Sequence, residues 1–151
     1  MKGLIQRVSS ASVSVNSQVI AEIPTGLLVL LGVERNDTPE QVKALARKLV
    51  NYRVFPDNQD RMNRSLLDIG GSLLVVPQFT LAADTGSGTR PGFSSAAPPA
   101  MAESLFQEFF DLVGQMLGRG RVGSGRFGAD MQVSLVNDGP VTFMLEVGAS
   151  S

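Results

Sequence analysis

The 151-residue chain has no histidine and no cysteine. The first absence removes the imidazole base of a Ser-His-Asp triad. The second removes a thiolate nucleophile and any disulfide, and together they remove the common zinc ligand sets. Any chemistry must use hydroxyls, carboxylates, cationic side chains or the backbone itself. A cysteine-free chain also agrees with a reducing compartment. Long hydrophobic runs are missing too. The longest, Leu27 to Leu31, falls well short of the ~20 residues that span a bilayer. The start Met1-Lys2-Gly3-Leu4-Ile5-Gln6-Arg7 holds no apolar signal region. These features read as a soluble, cytosolic protein with no membrane partner. Charge of one sign is not in excess either, since the net charge is −1. That argues against a DNA or RNA binder driven by many phosphate contacts and leaves room for a brief RNA encounter. Arg53, Arg61, Arg64, Arg90, Arg119, Arg121 and Arg126 are spread over loops and strand ends, the pattern of a solvated surface.

What is present suits one domain, 1–147, with a polar tail at 148–151. A chain of this length buries ~70% of its unfolded surface and needs no metal or disulfide support. Leu4–Val8, Ala11–Val15 and Val19–Ile23, with a turn at Asn16-Ser17, read as an antiparallel meander. Gly26 to Val33 is apolar on both faces, as in a strand buried between two layers. A helix follows, capped by Thr38, with Pro39 in its first turn, Gln41 completing a capping box, and Val42, Leu45, Ala46 and Leu49 as its inward stripe. Tyr52–Phe55 and Ser72–Val76 read as further strands. A second helix starts at Pro98-Pro99, with Met101, Leu105, Phe106, Phe109, Leu112, Val113 and Met116 at helical spacing. A Gly/Arg-rich connector, Gly118 to Gly128, then leads into a final hairpin. The fold class is therefore α/β with α+β character: one layered β/β/α domain with barrel-like mixed sheets and two main covering helices. Glycines 118, 120, 123 and 125 follow a helix instead of linking a first strand to one, and no Walker lysine is present, so a dinucleotide fold is not indicated.

Two short segments suggest chemistry. Asn137-Asp138-Gly139-Pro140-Val141-Thr142 sets a Gly-Pro step between two runs that alternate like strands, Met131, Val133, Leu135 and then Val141, Phe143, Leu145, Val147. Glycine permits close approach of backbone to a ligand, and proline fixes φ and alone reaches a cis peptide at modest cost. An ordinary hairpin turn with a trans bond is the plain alternative, because only ~5–6% of X-Pro bonds are cis. The other segment is Pro77-Gln78-Phe79-Thr80-Leu81 at a strand end, where amides left unpaired would form an oxyanion hole. Thr80 carries a hydroxyl that would serve as nucleophile only with a base such as Asp84 or Asp138. An ordinary strand threonine is the stronger reading.

These motifs carry a resemblance. The start Leu4-Ile5-Gln6-Arg7-Val8-Ser9-Ser10-Ala11-Ser12-Val13, the strand Gly26 to Val33, the stretch Gln78-Phe79-Thr80-Leu81-Ala82-Ala83-Asp84-Thr85 and the ending from Phe127 to Val147 are similar to D-aminoacyl-tRNA deacylases over nearly the whole chain. The resemblance implies a cytosolic homodimer that hydrolyses the ester between a D-amino acid and tRNA, with no metal or cofactor. It also implies removal of glycine wrongly attached to alanine tRNA. By the same resemblance, the backbone of Gln78, Phe79 and Thr80 binds the carbonyl and terminal adenosine. Gly139 and Pro140, joined by a cis bond, enter the partner subunit's site and are braced by Arg7. Pro77, Leu81 and Asn137 are the further substrate-contacting positions of the two motifs. The family's first motif usually begins with serine, and Pro77 lacks both that hydroxyl and an N–H. A related animal deacylase that removes L-alanine from threonine tRNA has Pro-Gln-Ala-Thr-Leu there, which Pro77 matches and Phe79 does not. A threonine-dependent esterase and a non-enzymatic β-barrel binding module are the readings from other classes.

Overall fold

The computed structural model describes residues 1–148, and its central strand joins what the sequence pattern divides. β1 runs unbroken from Lys2 to Val15. The polar pair Ser9-Ser10 does not end it, because β1 is held on both sides, by β3 along its first half and by β8 along nearly its whole length. Its register slips against β8 on either side of Val8. A slip changes which side chains face which way. Ile5 accordingly packs into one hydrophobic core and Val8, Ala11 and Val13 into another.

β2 (Gln18–Ile23) returns against β1 through Asn16 and Ser17, whose φ angles of 50° and 65° make the tight turn expected there. β3 (Gly26–Gly32) is the doubly buried strand. Leu27, Val29 and Leu31 face the helices, and Leu28 faces inward. α1 (Pro39–Asn51) has the capping box of Thr38 and Gln41, with the Thr38 amide donating to Gln41 Oε1 at 2.7 Å. Its stripe Val42, Leu45, Ala46 and Leu49 is buried.

The strand expected over Tyr52–Phe55 is a correction. Tyr52 only caps α1, and β4 is confined to Phe55–Pro56, paired with β5 (Met62–Arg64) as a small separate ribbon. A short helix, α2 (Leu66–Ile69), follows, with a capping box between Ser65 and Asp68. β6 (Ser72–Pro77) pairs parallel to β3 and repeats its pattern, Leu73 and Val75 toward the helices, Leu74 and Val76 inward. α3 (Pro99–Leu117) buries Leu105, Phe106, Phe109 and Val113 as the spacing requires.

The Gly/Arg-rich connector hides a strand, β7 (Val122–Ser124), parallel to β6. Its glycine content masked it. The final hairpin is also corrected, since Gln132–Glu146 is one strand, β8, whose two halves pair with the same strand, β1. The main sheet has the order β2-β1-β3-β6-β7, with β8 on β1, and its edges β2 and β7 curl into contact. The result is the expected barrel-like mixed sheet, with α1 and α3 covering one face. The N-terminal ammonium lies in this packing, bound by Glu34 Oε1 at 2.8 Å, Asp37 Oδ1 at 2.9 Å and the Val147 carbonyl at 2.7 Å. Of the tail at 148–151, all but Gly148 lies outside the described residues.

Candidate active site

β6 ends at Pro77, and the chain then coils into a tight turn over Phe79–Ala82. Proline is tolerated at that strand end because the ladder asks no donor of it, and the first residue after it makes the last tie to the sheet. The Gln78 amide donates to the Leu31 carbonyl at 2.8 Å. That bond corrects one expectation: the Gln78 N–H is spoken for and is not an oxyanion donor. The Leu81 amide is also engaged, by the Gln78 carbonyl at 3.2 Å. The amides of Phe79 and Thr80 remain as the first two of the turn, without a partner inside it. Gly32, at the end of β3, backs this turn so closely that a Cβ there would meet Leu81 Cβ at 3.0 Å and the Gln78 carbonyl oxygen at 3.3 Å.

Beside the turn opens a cavity of about 450 Å³, lined among others by Pro77, Gln78, Phe79, Phe127, Met131 and Val133. Its lining holds no charged residue. Phe79 is 61% exposed and packs against Phe93 with ring centroids 5.4 Å apart and planes tilted by 41°, so an aromatic pair stands at the surface beside the cavity. The Thr80 hydroxyl accepts a hydrogen bond from the Gln78 carboxamide. Neither carboxylate considered as its base is bonded to it. Asp84 Oδ1 accepts from the Gly86 amide at 2.9 Å, and Asp138 lies beside Arg7. Among the described residues, no group of three or more carboxylates is placed to hold a metal ion.

The second motif is a bulge. Gln6 pairs with Thr142 and Val8 with Asn137, so β8 throws Asp138 to Val141 out of the ladder opposite Arg7. Asn137 closes it from beneath: its Oδ1 accepts from the Val141 amide at 3.0 Å and its Nδ2 donates to Thr142 Oγ1 at 2.9 Å. The Asn137 side chain is thus occupied in shaping the bulge. Sequence spacing gave no sign of that role. Arg7 ties the bulge down, with Nε donating to the Asp138 carbonyl at 3.0 Å and a terminal nitrogen to the Val54 carbonyl at 2.7 Å. Gly139 has a φ of 134°, and a side chain there would strike Val141 Cγ2 at 2.6 Å. The Gly139-Pro140 bond is cis, and both residues are exposed.

The two motifs do not meet within one subunit. The first stands at the end of β6 and the second in β8, with β3 and β1 between those strands in the sheet.

The family model described as D-Tyr-tRNA(Tyr) deacylase matches residues 4–146. The chain belongs to this deacylase family. Curated relatives agree: a D-aminoacyl-tRNA deacylase of Marinobacter nauticus is 66% identical over 98% of this chain and 95% of its own. One of Pseudomonas fluorescens is 59% identical, covering 97% and 99%. Among solved structures, the c-Myc DNA unwinding element binding protein superposes with a TM-score of 0.95 at 38% identity, covering 99% of this chain and 100% of that one. A probable eukaryotic D-amino acid tRNA deacylase gives 0.83 at 17% identity over 97% and 98%, which speaks for the deacylase fold.

Proposed function

We propose that this protein deacylates its substrate with backbone groups and no catalytic side chain. By family and by close relatives the chain is a D-aminoacyl-tRNA deacylase, a hydrolase of the ester bond in D-aminoacyl-tRNA that serves proofreading in translation. The observation that carries the mechanism is the pair of free amides at Phe79 and Thr80 beside an uncharged cavity. An aminoacyl ester is already activated. As water adds to its carbonyl carbon, negative charge gathers on the carbonyl oxygen, and two fixed N–H donors stabilise that charge. One such donor lowers a barrier by about 3 kcal/mol, so two contribute roughly four orders of magnitude before orientation is counted. The cavity takes the terminal adenosine, and the neighbouring ribose 2′-hydroxyl assists the attack. Thr80 has no base and is not needed as nucleophile.

Selection against L-residues falls to Gly139 and Pro140. With β3 and β1 standing between the two motifs in the sheet of one subunit, the wall is supplied by a second copy, in a two-fold dimer where each subunit lends its bulge to the other. The braced Asp138 carbonyl, the closed Asn137 loop and the exposure of the step all suit a rigid projecting contact. Exposed Val136, Phe143 and Met144 flank it on β8 and supply apolar area for that contact. A D side chain then points to solvent, an L side chain meets the wall, and glycine has nothing to clash. Glycine on alanine tRNA is therefore a substrate, and the place of work is the cytoplasm.

Pro77 is the observation favouring a second reading, hydrolysis of L-alanyl-tRNA. Deacylation of D-tyrosyl-, L-tyrosyl-, glycyl- and L-alanyl-tRNA side by side tests both. Turnover of the D-tyrosyl and glycyl substrates is expected, and strong turnover of L-alanyl-tRNA with none of D-tyrosyl-tRNA would reverse the assignment.

A further inference from the structure

The cavity is uncharged, yet the substrate reaching it is a polyanion. Two exposed arginines lie on segments tied to the residues that line it or stand beside it. Arg126 opens the turn closed by the Ala129 amide on the Arg126 carbonyl at 3.2 Å, and the next three residues, Phe127, Gly128 and Ala129, line the cavity. That turn is anchored where the Gly125 amide donates to the Val75 carbonyl at 2.8 Å, on the strand that leads into Gln78. Arg90 lies on the loop pinched shut between Asp84 and Gly92 by paired backbone bonds of 2.7 and 2.9 Å. Directly after the pinch, Phe93 packs against Phe79. The loop's root is held by Ser95 Oγ on the Ala82 carbonyl at 2.8 Å and by Arg35 on the Ser94 carbonyl at 3.0 Å. Both loops are therefore tied to the site. Among the described residues neither the Arg126 nor the Arg90 guanidinium makes a hydrogen bond or ion pair, which they share with Arg47, Arg61, Arg119 and Arg121, whereas those of Arg7, Arg35, Arg53 and Arg64 are engaged. Arg119 and Arg121 sit at the far end of β7, beside Val122, which pairs with the start of β6.

We propose that Arg126 and Arg90 grip the phosphates of the single-stranded 3′ end of the substrate tRNA as its last nucleoside enters the cavity. This rests on the deacylase reading and adds how the RNA is held. A guanidinium offers five donors and a permanent charge in a fork that fits a phosphate. Asp130, exposed on the same segment as Arg126, opposes that attraction, so removing its charge should tighten binding.

The test compares D-tyrosyl-tRNA with D-tyrosyl-adenosine, which has the reacting ester and the base but no phosphate. Arg126→Ala and Arg90→Ala should each raise KM for the tRNA roughly threefold to tenfold with kcat unchanged, the range for exposed charge-assisted contacts. The dependence of log kcat/KM on log salt should flatten by about 0.7 for each contact removed. Arg126→Lys should recover part of the loss, Asp130→Asn should lower KM, and Arg119→Ala should match the natural protein. D-tyrosyl-adenosine should be hydrolysed alike by all of them. Equal losses on both substrates would mean that the arginines only shape the site, and an unchanged KM for tRNA would remove them from the interface. Either result overturns the proposal. A natural protein idle on both substrates would instead defeat the deacylase reading beneath it.

Discussion

Gly32→Ala tests the backbone mechanism by pressing on the turn from behind while leaving Phe79 and Thr80 themselves unchanged. Gly32 ends β3 behind the turn that holds the Phe79 and Thr80 amides. An added Cβ would lie 3.0 Å from Leu81 Cβ, 3.3 Å from the Ala82 amide nitrogen and 3.3 Å from the Gln78 carbonyl oxygen. Two of those neighbours are main-chain atoms and cannot rotate away, so the turn itself must move outward by a few tenths of an ångström to reach ordinary contact distance. Overpacking of this kind costs about 1–3 kcal/mol of stability, a fraction of what a domain this size has. The effect on rate should be larger in proportion. A misplacement of ~1 Å costs about a hundredfold, so a third of that should lower kcat by roughly fivefold. KM should change little, because the cavity walls at Phe127 and Met131 are untouched. Single-turnover deacylation of D-tyrosyl-tRNA, beside a thermal melt to verify folding, measures both. A folded Gly32→Ala protein with kcat within twofold of the natural one would refute the claim that the position of these amides sets the rate.

Other expectations follow from the same geometry. Thr80→Ala should keep most of the activity, since the Thr80 hydroxyl is bonded to the Gln78 side chain and to no base. A loss beyond ~10³-fold in a folded protein would make that hydroxyl the nucleophile after all. Arg7→Lys cannot reach both the Asp138 and Val54 carbonyls, and losing one charge-assisted bond should cost about 2 kcal/mol. Discrimination between D- and L-tyrosyl-tRNA should suffer with it, and a stability loss with selectivity intact would separate the brace from function. The Asp68 carboxyl is held below its ordinary value chiefly by the Ser65 amide and also by the Ser65 hydroxyl. Because the folded value is the lower one, its contribution is present above the usual carboxylate range and is lost as pH falls through the depressed value. An acid titration of stability should show this loss, and Asp68→Asn should flatten it. An identical acid limb in the variant would count against the assignment.

How much of this was legible in the sequence varies by element. The capping box at Thr38 and Gln41, the stripe of α3 and the two-faced burial of β3 could be read directly, because each depends on neighbours within a few residues and on a local pattern. β7 could not be read, since Val122-Gly123-Ser124 has too little apolar pattern to look like a strand and exists because the edge of β6 offers it hydrogen bonds. The short β5 escaped too, and the strand read over Tyr52–Phe55 overlaps β4 only at Phe55. The final hairpin was misjudged because alternation on either side of a Gly-Pro step looks the same whether the halves pair with each other or with a common third strand.

The site divides along the same line. By itself, the sequence determined that no imidazole or thiol takes part, that the motifs at 77–81 and 137–142 are the unusual segments, and which family they resemble. All of these are properties of residue identity and short-range order. Only the tertiary structure decided that the Gln78 amide is consumed by Leu31 while those of Phe79 and Thr80 are left free, and that the Asn137 carboxamide is spent on closing the bulge. It gave the Arg7 brace implied by the resemblance its geometry, with Nε on the Asp138 carbonyl, and put β3 and β1 between the two motifs. The physical reason is that a hydrogen bond or a close approach between residues far apart in sequence depends on register and crossover, and no local pattern of side chains encodes which distant donor will reach which acceptor.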